Sequence, residues 1–298
     1  LAERKRTAGY RVSVVIPAKD EEPTVGNVAA TLRRTLIDEV ALIDELVVVD
    51  ADSTDRTGEV ARAAGARVVR QSEILPASGN GTGKGEAMWK GLAATEGDLV
   101  AYVDADIRDI GPRFVVGLLG PLLTDPAIRF TKAAYDRPFS PVEGPVQPTG
   151  GGRVTELLAR PLIASFWPDL AWLAQPLSGE YGGDRDLLES LPFVQGYGVE
   201  LGLLVDIVDQ QGSQAITQVD LGRRIHEHQN LDSLGRMAAE ILHVAIDRLG
   251  RQGRLVLTDP LATSLLQPVR DAQGQLKMDP HQVKFGERPA LRTWRERR

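Results

Sequence analysis

Residues 11–21, with the sequence RVSVVIPAKDE, decide the fold, because an apolar strand there leads directly into a polar turn. Two later apolar runs, ELVVVD at 45–50 and DLVAYVD at 98–104, also end in acidic residues. Amphipathic helices are predicted between and around these strands, at 24–36, 53–64 and 83–95. This alternation predicts an α/β fold in which a mostly parallel sheet has helices on both faces. Ligands bind at the carboxyl ends of parallel strands, so the acidic turns mark the expected site.

The chain after residue 110 follows a less regular pattern. Strands are predicted at 130–135 and 215–221, and helices at 153–164, 199–207 and 233–249. Residues 140–152 are rich in proline and glycine and predict a loop. We expect the polar tail after Asp271 to wrap the surface or to bind a partner. The pattern as a whole predicts one domain with a C-terminal extension.

The composition excludes several classes of function. The 298 residues include 35 Lys and Arg against 41 Asp and Glu, and this net charge of −6 argues against nucleic-acid binding. There is no cysteine, which excludes disulfides, cysteine-zinc sites and thiol catalysis. The longest nearly apolar stretch, 114–123, is too short to span a bilayer, and the basic start LAERKRTAGYR lacks the apolar region of a signal peptide. We expect a cytoplasmic protein without stable membrane insertion.

Asp104-Ala105-Asp106 follows an apolar strand and predicts a metal site. Two carboxylates two residues apart can face a divalent ion and a ribose together, and hard oxygen ligands suit Mg²⁺ or Mn²⁺. Such an ion would neutralise a diphosphate and stabilise its departure. The alternative is a polar strand end without a ligand. Downstream, alternation puts His226 and His228 on one side of an extended segment, so either is a candidate third ligand, and the alternative is a pair of surface histidines.

The glycine-rich run SGNGTGKG at 78–85 does not match a P-loop. Ser78 stands where that motif needs Gly, and Gly85 stands where it needs Ser or Thr. Outside a P-loop, Lys84 is either a side chain that reaches a diphosphate or a solvated loop lysine.

Two helix starts and one strand end are further candidates. At 150–156 (GGGRVTE), unpaired helix N–H groups, the Arg153 guanidinium and the Thr155 hydroxyl predict an anion site, unless this is a mobile loop with an ordinary N-cap. Glu200 begins a buried helix and is a candidate base or ligand of sugar hydroxyls, unless it only stabilises the helix N-terminus. Asp50 ends the second strand and is expected to accept hydrogen bonds from a base or ribose.

Four motifs in the first half resemble those of GT-A glycosyltransferases. They are PAKDEE at 17–22, VVVDADSTDRT at 47–57, GKGEAMWKG at 83–91 and YVDADI at 102–107. The usual forms are P-x-x-N-E, D-D-x-S-x-D-x-T, G-K-G-x-A and D-A-D, in this order. Asp20 stands where Asn is common, and Ala51 stands where a second Asp is common, which leaves the recognised base open.

Five stretches in the second half resemble glucosyl-3-phosphoglycerate synthases: FTKAAYDRP at 130–138, GGGRVTELLARPL at 150–162, QPLSGEYGG at 175–183, LPFVQGYGVELGLLVDI at 191–207 and RRIHEHQ at 223–229. The resemblance implies retaining transfer of glucose from UDP-glucose to 3-phosphoglycerate, dependence on Mg²⁺ (or Mn²⁺) and a homodimer. In actinobacterial relatives this reaction starts the synthesis of methylated glucose polysaccharides. Some members of the family use GDP-mannose, so that donor is an alternative, as is another small anionic acceptor such as glycerate.

The resemblance also implies a role for each matching residue. The donor would be bound by Pro17, Ala18, Glu21, Asp50, Ser53, Lys84, Asp104 and Ala105. The acceptor would be bound by Gly152, Arg153, Val154, Thr155 and Tyr197. The metal ligands would be Asp106 and His226. The catalytic group would consist of Asp104, Lys84, Glu200 and Arg224.

The implied architecture is a GT-A-like fold with a mostly parallel central sheet, flanking helices and a C-terminal helical extension. The catalytic domain would cover 1–230, with a donor half at about 10–110 and an acceptor half at about 130–230, and the helix and tail at 231–298 would form the dimer.

Three other functions are alternatives to this one. An inverting transferase acting on a polyprenyl phosphate would usually need a membrane-binding helix. A sugar-nucleotide pyrophosphorylase would usually have a glycine-rich loop with Arg and Lys where this chain has PAKDEE. An inactive sugar-nucleotide-binding protein fits poorly with the joint presence of Asp104, Asp106, Lys84 and His226.

Overall fold

A central sheet of seven strands organises the protein. The computed structural model describes residues 1–136, 152–224, 230–271, 273–283 and 285–297. The central strands are β1 (Val12–Ala18), β2 (Glu45–Asp50), β3 (Arg67–Arg70), β4 (Leu99–Tyr102), β5 (Phe130–Asp136), β6 (Tyr181–Asp184) and β8 (Ile216–Arg223). Two smaller sheets pair β7 (Phe193–Val194) with β11 (Glu287–Arg288) and β9 (Ser264–Arg270) with β10 (Leu276–Gln282).

The strand order of the central sheet brings the acidic turns together. The order is β3-β2-β1-β4-β6-β5-β8, and neighbouring strands are parallel except in the two pairs that contain β6. Ala18 at the end of β1 pairs with Asp50 at the end of β2, and Val15 of β1 pairs with Tyr102 at the end of β4. The ends of β1, β2, β4 and β8 therefore lie at one edge, which confirms the mostly parallel sheet that the sequence predicted.

Helices cover both faces of this sheet. In the described ranges the α-helices are α1 (Ala2–Ala8), α2 (Val25–Arg33), α3 (Thr57–Ala63), α4 (Lys84–Ala93), α5 (Arg113–Thr124), α6 (Arg160–Phe166), α7 (Arg185–Ser190), α8 (Val199–Gln211), α9 (Leu231–Arg251) and α10 (Leu291–Glu296). Turns of π-helix occupy Arg34–Asp38 and Thr155–Ala159, and short 3-10 turns occupy Gln71–Glu73, Pro76–Ser78, Pro168–Leu170 and Ser213–Ala215. None of the helices within these ranges is long and apolar enough to cross a membrane.

The strands β1, β2 and β4 are buried on both faces of the sheet, because they are nearly continuous apolar runs. Val15 of β1 belongs to an apolar cluster that includes Met88 and Trp89 of α4 and extends to α8, α9 and α10. Val14 and Ile16 belong to a second cluster on the opposite face, formed with α2, α3 and α5. All five side chains are fully buried. The loops at the strand ends are therefore attached to a firmly packed support.

The loops after β1 and β2 hold each other through side chains. The Asp20 carboxylate accepts hydrogen bonds from the backbone N–H and the hydroxyl of Thr54, at 2.7 and 3.1 Å. The Ser53 hydroxyl accepts a hydrogen bond from the backbone N–H of Asp20 at 3.0 Å. Because these residues are engaged by the opposite loop, α3 begins at Thr57 and not near residue 53, where the sequence predicted it.

The tail after Asp271 lies largely at the surface, where the sequence predicted it, and its last helix also reaches the core. β10 is largely exposed, as are residues 285, 292 and 295–297, and binding of a partner stays a prediction. Beyond β10, Leu291 of α10 is fully buried, and Trp294 packs edge-on against Trp89 with ring centroids 6.0 Å apart. The Trp89 indole N–H donates to the backbone oxygen of Pro289 at 3.0 Å. The sequence analysis did not foresee this contact, because residues far apart in sequence complete one core and local polarity does not reveal which ones.

Candidate active site

Five charged side chains meet at the carboxyl edge of the sheet. Lys84 begins α4, Asp104 and Asp106 follow β4, Glu200 lies in the first turn of α8, and Arg224 follows β8. Nζ of Lys84 lies 2.6 Å from Oδ1 of Asp104 and 3.3 Å from Oε1 of Glu200. Nη2 of Arg224 lies 3.0 Å from Oδ2 of Asp104 and 2.8 Å from Oδ1 of Asp106. The structure thus brings together all four residues predicted to be catalytic, with Asp106 beside them.

Two residues to which the sequence analysis gave no role hold Arg224 in place. Its Nη1 lies 3.1 Å from Oε1 of Glu180 and donates to the phenol oxygen of Tyr135 at 2.8 Å. The Tyr135 hydroxyl in turn donates to Oε2 of Glu180 at 2.7 Å. Glu180 is fully buried, and Arg224 is 4% exposed. Held in this way, the guanidinium presents its second nitrogen to the two aspartates.

Ion pairing keeps Lys84 and Asp104 charged despite their burial. Burial disfavours the ammonium of Lys84, but Asp104 and Glu200 outweigh it and hold the pKa of Lys84 above its ordinary value. Burial likewise disfavours the Asp104 carboxylate, but Lys84 and Arg224 outweigh it and hold the pKa of Asp104 below its ordinary value. Two fixed positive charges therefore lie beside this carboxylate at neutral pH.

Two further buried groups behind the cluster have shifted pKa values. Burial raises the pKa of Glu180, which Arg224 only partly offsets. Burial lowers the pKa of Lys132 to about 7, although Glu200 and other nearby carboxylates oppose the change. The Lys132 ammonium donates to the backbone oxygen of Ser178 and lies 4.6 Å from the centroid of the Tyr181 ring. The charge of Lys132 is therefore sensitive to pH near neutrality.

A glycine leaves the space that the Lys84–Asp104 ion pair occupies. A Cβ atom at Gly179 would lie 2.1 Å from Oδ2 of Asp104 and 2.4 Å from Nζ of Lys84. The backbone of Gly179 is not in the left-handed region, so the need for glycine here is one of space alone.

The charged cluster opens into a cavity of about 1800 Å³. This exceeds the roughly 300–1,000 Å³ of an ordinary small-molecule site, so two substrates fit side by side. Most of the predicted site residues line it: Pro17, Ala18, Glu21, Lys84, Asp104, Ala105, Asp106, Gly152, Arg153, Val154, Thr155, Tyr197, Glu200 and Arg224. Residues predicted for the donor and for the acceptor therefore share one cavity.

Two residues predicted to bind the donor lie outside the lining of this cavity. Asp50 is 6% exposed, and its Oδ1 accepts a hydrogen bond from the backbone N–H of Ser53 at 2.8 Å. The Ser53 hydroxyl is bonded to the loop after β1. Their neighbours Ala51 and Asp52 line the cavity instead. Contact of Asp50 and Ser53 with a nucleoside stays a prediction.

The predicted acceptor residues lie where the helical segment before α6 begins. Gly152 has a φ of +74°, and its carbonyl accepts the backbone N–H of Glu156 at 3.1 Å. The predicted helix start near Arg153 is thus confirmed, and Arg153, Val154 and Thr155 face the cavity. Apart from Gly152, the predicted loop at 140–152 lies outside the described residues. Tyr197 also lines the cavity, and its backbone N–H donates to Glu240 at 2.9 Å.

The donor set at Asp106 fits a hard divalent cation. Its side chain is 35% exposed toward the cavity, and Arg224 contacts Oδ1. Within the described residues, no group of three His, Asp or Glu could hold a metal by itself. Mg²⁺ commonly takes one or two protein carboxylates and completes its shell with substrate phosphates, so one aspartate at the edge of a cavity suits it. His226 and His228 lie outside the described residues.

Sequence reasoning missed the residues that support this cluster. Lys132, Tyr135 and Glu180 lie in the stretches FTKAAYDRP and QPLSGEYGG, which served only to indicate a family. A usable signal was present, because Lys132 interrupts an apolar strand and Glu180 precedes one. Charged residues are rarely fully buried unless they are paired, so such positions predict a buried ion pair.

Comparison with known proteins places this geometry among glycosyltransferases. A family model described as glycosyl transferase family 2 matches residues 13–110. The chain is 43% identical over 293 residues to the glucosyl-3-phosphoglycerate synthase of Petrotoga mobilis, covering 98% of this chain and 90% of that protein.

Solved structures give the same result. The mannosyl-3-phosphoglycerate synthase of Rubrobacter xylanophilus is similar with a TM-score of 0.89 and 42% identity, covering 98% of this chain and 93% of that one. The glucosyl-3-phosphoglycerate synthase of Mycobacterium tuberculosis, in complex with Mn²⁺, UDP and glucosyl-3-phosphoglycerate, is similar with a TM-score of 0.85 and 41% identity, covering 98% and 94%.

Proposed function

Because this chain belongs to the glucosyl-3-phosphoglycerate synthase family, we propose that it transfers glucose from UDP-glucose to 3-phosphoglycerate with retention, giving glucosyl-3-phosphoglycerate. The observation that supports this most directly is the meeting of Lys84, Asp104 and Arg224 at one cavity that also contains the predicted acceptor residues. One similar structure is that of a mannosyl-3-phosphoglycerate synthase, so mannosyl transfer from GDP-mannose is the alternative to be separated by assay.

On the donor side, we assign the diphosphate to Lys84 and the nucleoside to the loops after β1 and β2. Asp104 holds the ammonium of Lys84 at 2.6 Å, so a positive charge is in place before the donor binds. Such a preorganised charge stabilises the negative charge that develops as the diphosphate leaves. Pro17, Ala18 and Glu21 line the same cavity as Lys84, which supports a nucleoside at these loops.

Asp106 and His226 are the proposed ligands of Mg²⁺, with Mn²⁺ as the alternative. The exposed carboxylate of Asp106 beside the diphosphate pocket supports the first of these assignments. When bound, the ion would neutralise the diphosphate and lower the barrier to its departure.

The proposed reaction exchanges one bond at the anomeric carbon. The bond to the diphosphate oxygen breaks, and the acceptor hydroxyl forms a bond to the same carbon on the same face. A departing phosphate oxygen takes the hydroxyl proton, so the transfer requires no dedicated base. The 3.3 Å contact between Glu200 and Lys84 favours a role for Glu200 in holding the sugar and the ammonium over a role as a covalent nucleophile.

The acceptor is assigned to the start of the helical segment before α6. There Arg153 offers a planar guanidinium and Thr155 a hydroxyl, and both face the cavity. Gly152 and Val154 contribute backbone N–H groups, which bind phosphate or carboxylate well at a helix start. Tyr197, which lines the same cavity, would contribute to the acceptor side.

We also propose a homodimer formed by the segment 231–298. Exposed apolar side chains on α9 and on the β9–β10 hairpin support it: Leu231, Leu266, Leu276 and Met278 are 73, 56, 64 and 53% exposed. The division of the chain at residue 230 belongs to this proposal. The lack of cysteine is compatible with a reducing cytoplasm, where we propose the protein acts.

Nucleotide release by the purified protein tests the function. UDP-glucose and GDP-mannose are each supplied with and without 3-phosphoglycerate, with Mg²⁺ or with a chelator. We expect UDP release that requires both the acceptor and the metal, and NMR of the product should show an α-glucosyl linkage. Faster release from GDP-mannose would replace the donor, and release that is independent of 3-phosphoglycerate would contradict the acceptor.

A further inference from the structure

The loop that precedes Lys84 is held by a residue from the far end of the chain. Arg288 of β11 donates from Nη1 to the backbone oxygen of Ser78 at 2.6 Å and from Nη2 to that of Gly79 at 3.1 Å. Strand β11 is itself fixed to β7, where Arg288 lies opposite Phe193. The residues that follow in the loop, 80–83, line the cavity together with Lys84.

Glu86 contacts both Arg288 and the same loop. Nε and Nη2 of Arg288 lie 2.5 and 2.7 Å from the two carboxylate oxygens of Glu86, which is a forked ion pair. The carboxylate also accepts hydrogen bonds from the Gln195 side chain at 3.0 Å and from the backbone N–H of Gly81 at 3.3 Å. Glu86 is fully buried and Arg288 is 13% exposed, so solvent screens the pair very little.

Glycines occupy the closest contacts of the loop. A Cβ atom at Gly81 would lie 2.0 Å from the side-chain nitrogen of Gln195, and one at Gly83 would lie 2.5 Å from the backbone oxygen of Gln195. Gly83 also has a φ of +95°. Glycine satisfies these constraints, but it has more conformations in the unfolded chain and therefore loses more conformational entropy on folding. A single loop conformation therefore depends on external contacts such as those from Arg288.

We propose that Arg288 is a positioning residue for the sugar nucleotide, which fixes the loop 78–83 and thereby Lys84 from the C-terminal tail. The proposal rests on the function proposed above, in which Lys84 faces the diphosphate. Arg288 is not among the described residues that line the cavity, so it acts through the loop and not on the substrate.

Kinetics of Arg288→Gln against the matched control Arg292→Gln tests this role. Arg292 lies in the same tail, is 52% exposed and pairs with Asp186 at 3.7 Å, away from the cavity. In R288Q we expect kcat/KM for UDP-glucose to fall on the order of 10²-fold, as for displaced positioning groups, through a raised KM. The KM for 3-phosphoglycerate should stay unchanged, and R292Q should match the wild type. A purely structural role would lower the melting temperature and leave the KM for UDP-glucose unchanged, which would overturn the proposal.

Hydrogen exchange gives a readout that does not depend on turnover. Backbone amides of 78–83 should exchange faster in R288Q than in R292Q. Adding Glu86→Gln to R288Q should cause little further loss of protection from exchange, because the two residues act as one unit. If the wild type turns over but R288Q changes neither exchange nor the KM for UDP-glucose, the inference fails and the function stands. If exchange rises while the wild type fails to use UDP-glucose, the inference stands and the function fails. Should R288Q not fold, R288K, which keeps the charge without the fork, is measured with the same criteria.

Discussion

Replacement of Gly179 by Ala is expected to inactivate the protein without unfolding it. The new Cβ atom would lie 2.1 Å from Oδ2 of Asp104 and 2.4 Å from Nζ of Lys84, and real Cβ atoms essentially never approach another heavy atom within 3.0 Å. Both atoms are side-chain ends, so the ion pair can retreat while the backbone stays in place. Alanine brings no backbone strain, because Gly179 is not in the left-handed region.

The size of the effect follows from the retreat that the methyl group forces. Misplacement of a catalytic group by about 1 Å costs on the order of 10²-fold in rate. Because Lys84 and Asp104 would both move, we expect kcat to fall by at least that factor. The free energy of unfolding should change little, since the pair lies at the cavity and side-chain movement can absorb the clash.

The assay is UDP release from UDP-glucose and 3-phosphoglycerate, with thermal unfolding measured on the same samples. Gly120→Ala is the matched control, because a Cβ atom at Gly120 in α5 would meet nothing within 4 Å. That variant should keep full activity and gain about 0.5–1 kcal/mol of stability, as expected for alanine in a helix interior. If G179A keeps its fold and its rate within a factor of about three, the geometry of the Lys84–Asp104 pair does not limit the rate, and the reasoning is refuted.

Three further outcomes follow from the charged cluster. Lys132→Met should remove a destabilisation that depends on pH. Burial lowers the pKa of Lys132 from 10.5 to about 7. Between these two values the unfolded chain binds more protons than the folded one, so the free energy of unfolding of the wild type increases as pH rises. In urea unfolding at pH 7, 8 and 9, the free energy of unfolding of the wild type minus that of K132M should increase, and a constant difference would contradict the shift. Glu180→Gln leaves Arg224 without its buried anionic partner and should cost about 3 kcal/mol of unfolding free energy, measured by urea denaturation; a loss below about 1 kcal/mol would mean that the other contacts suffice. Asp106→Asn should raise the Mg²⁺ concentration for half-maximal rate by at least about tenfold, the loss already typical when a residue that merely supports a ligand is changed; an unchanged requirement would exclude Asp106 as a ligand.

The parts of the fold that could be predicted are those that local pattern encodes. Apolar runs gave the strands at 12–18, 45–50 and 99–102 because parallel strands are buried on both faces, and this fixed the edge where the site lies. The packing of Trp294 against Trp89 could not be predicted, because neither periodicity nor polarity records which distant segment completes a core. The start of α3 was missed for a related reason. Hydrogen bonds between two loops engage the residues before it, so the helix begins at Thr57.

The site divides in the same way. Lys84 and Asp104 lie in motifs whose residue types already suggest phosphate and metal chemistry, whereas Arg224 was expected from the family resemblance alone. The structure brings the three together. Glu180 and Arg288 were missed because they act on other side chains and not on a ligand, so no motif demands them at a fixed spacing. Both are ionisable residues in segments that fold into the interior. A buried ionisable group requires a partner of opposite charge.

The charge balance of the cluster explains why a cation and the donor should bind together. Lys84 and Arg224 are the permanent cations, and Lys132 has a pKa of about 7. They face the carboxylates of Asp104, Asp106, Glu180 and Glu200. Even if Glu180 is left out of the count, the side chains of this cluster carry no surplus of positive charge for a diphosphate. A divalent cation at Asp106 would supply that surplus, and because such coupling is reciprocal, loss of the Asp106 carboxylate should weaken donor binding together with metal binding.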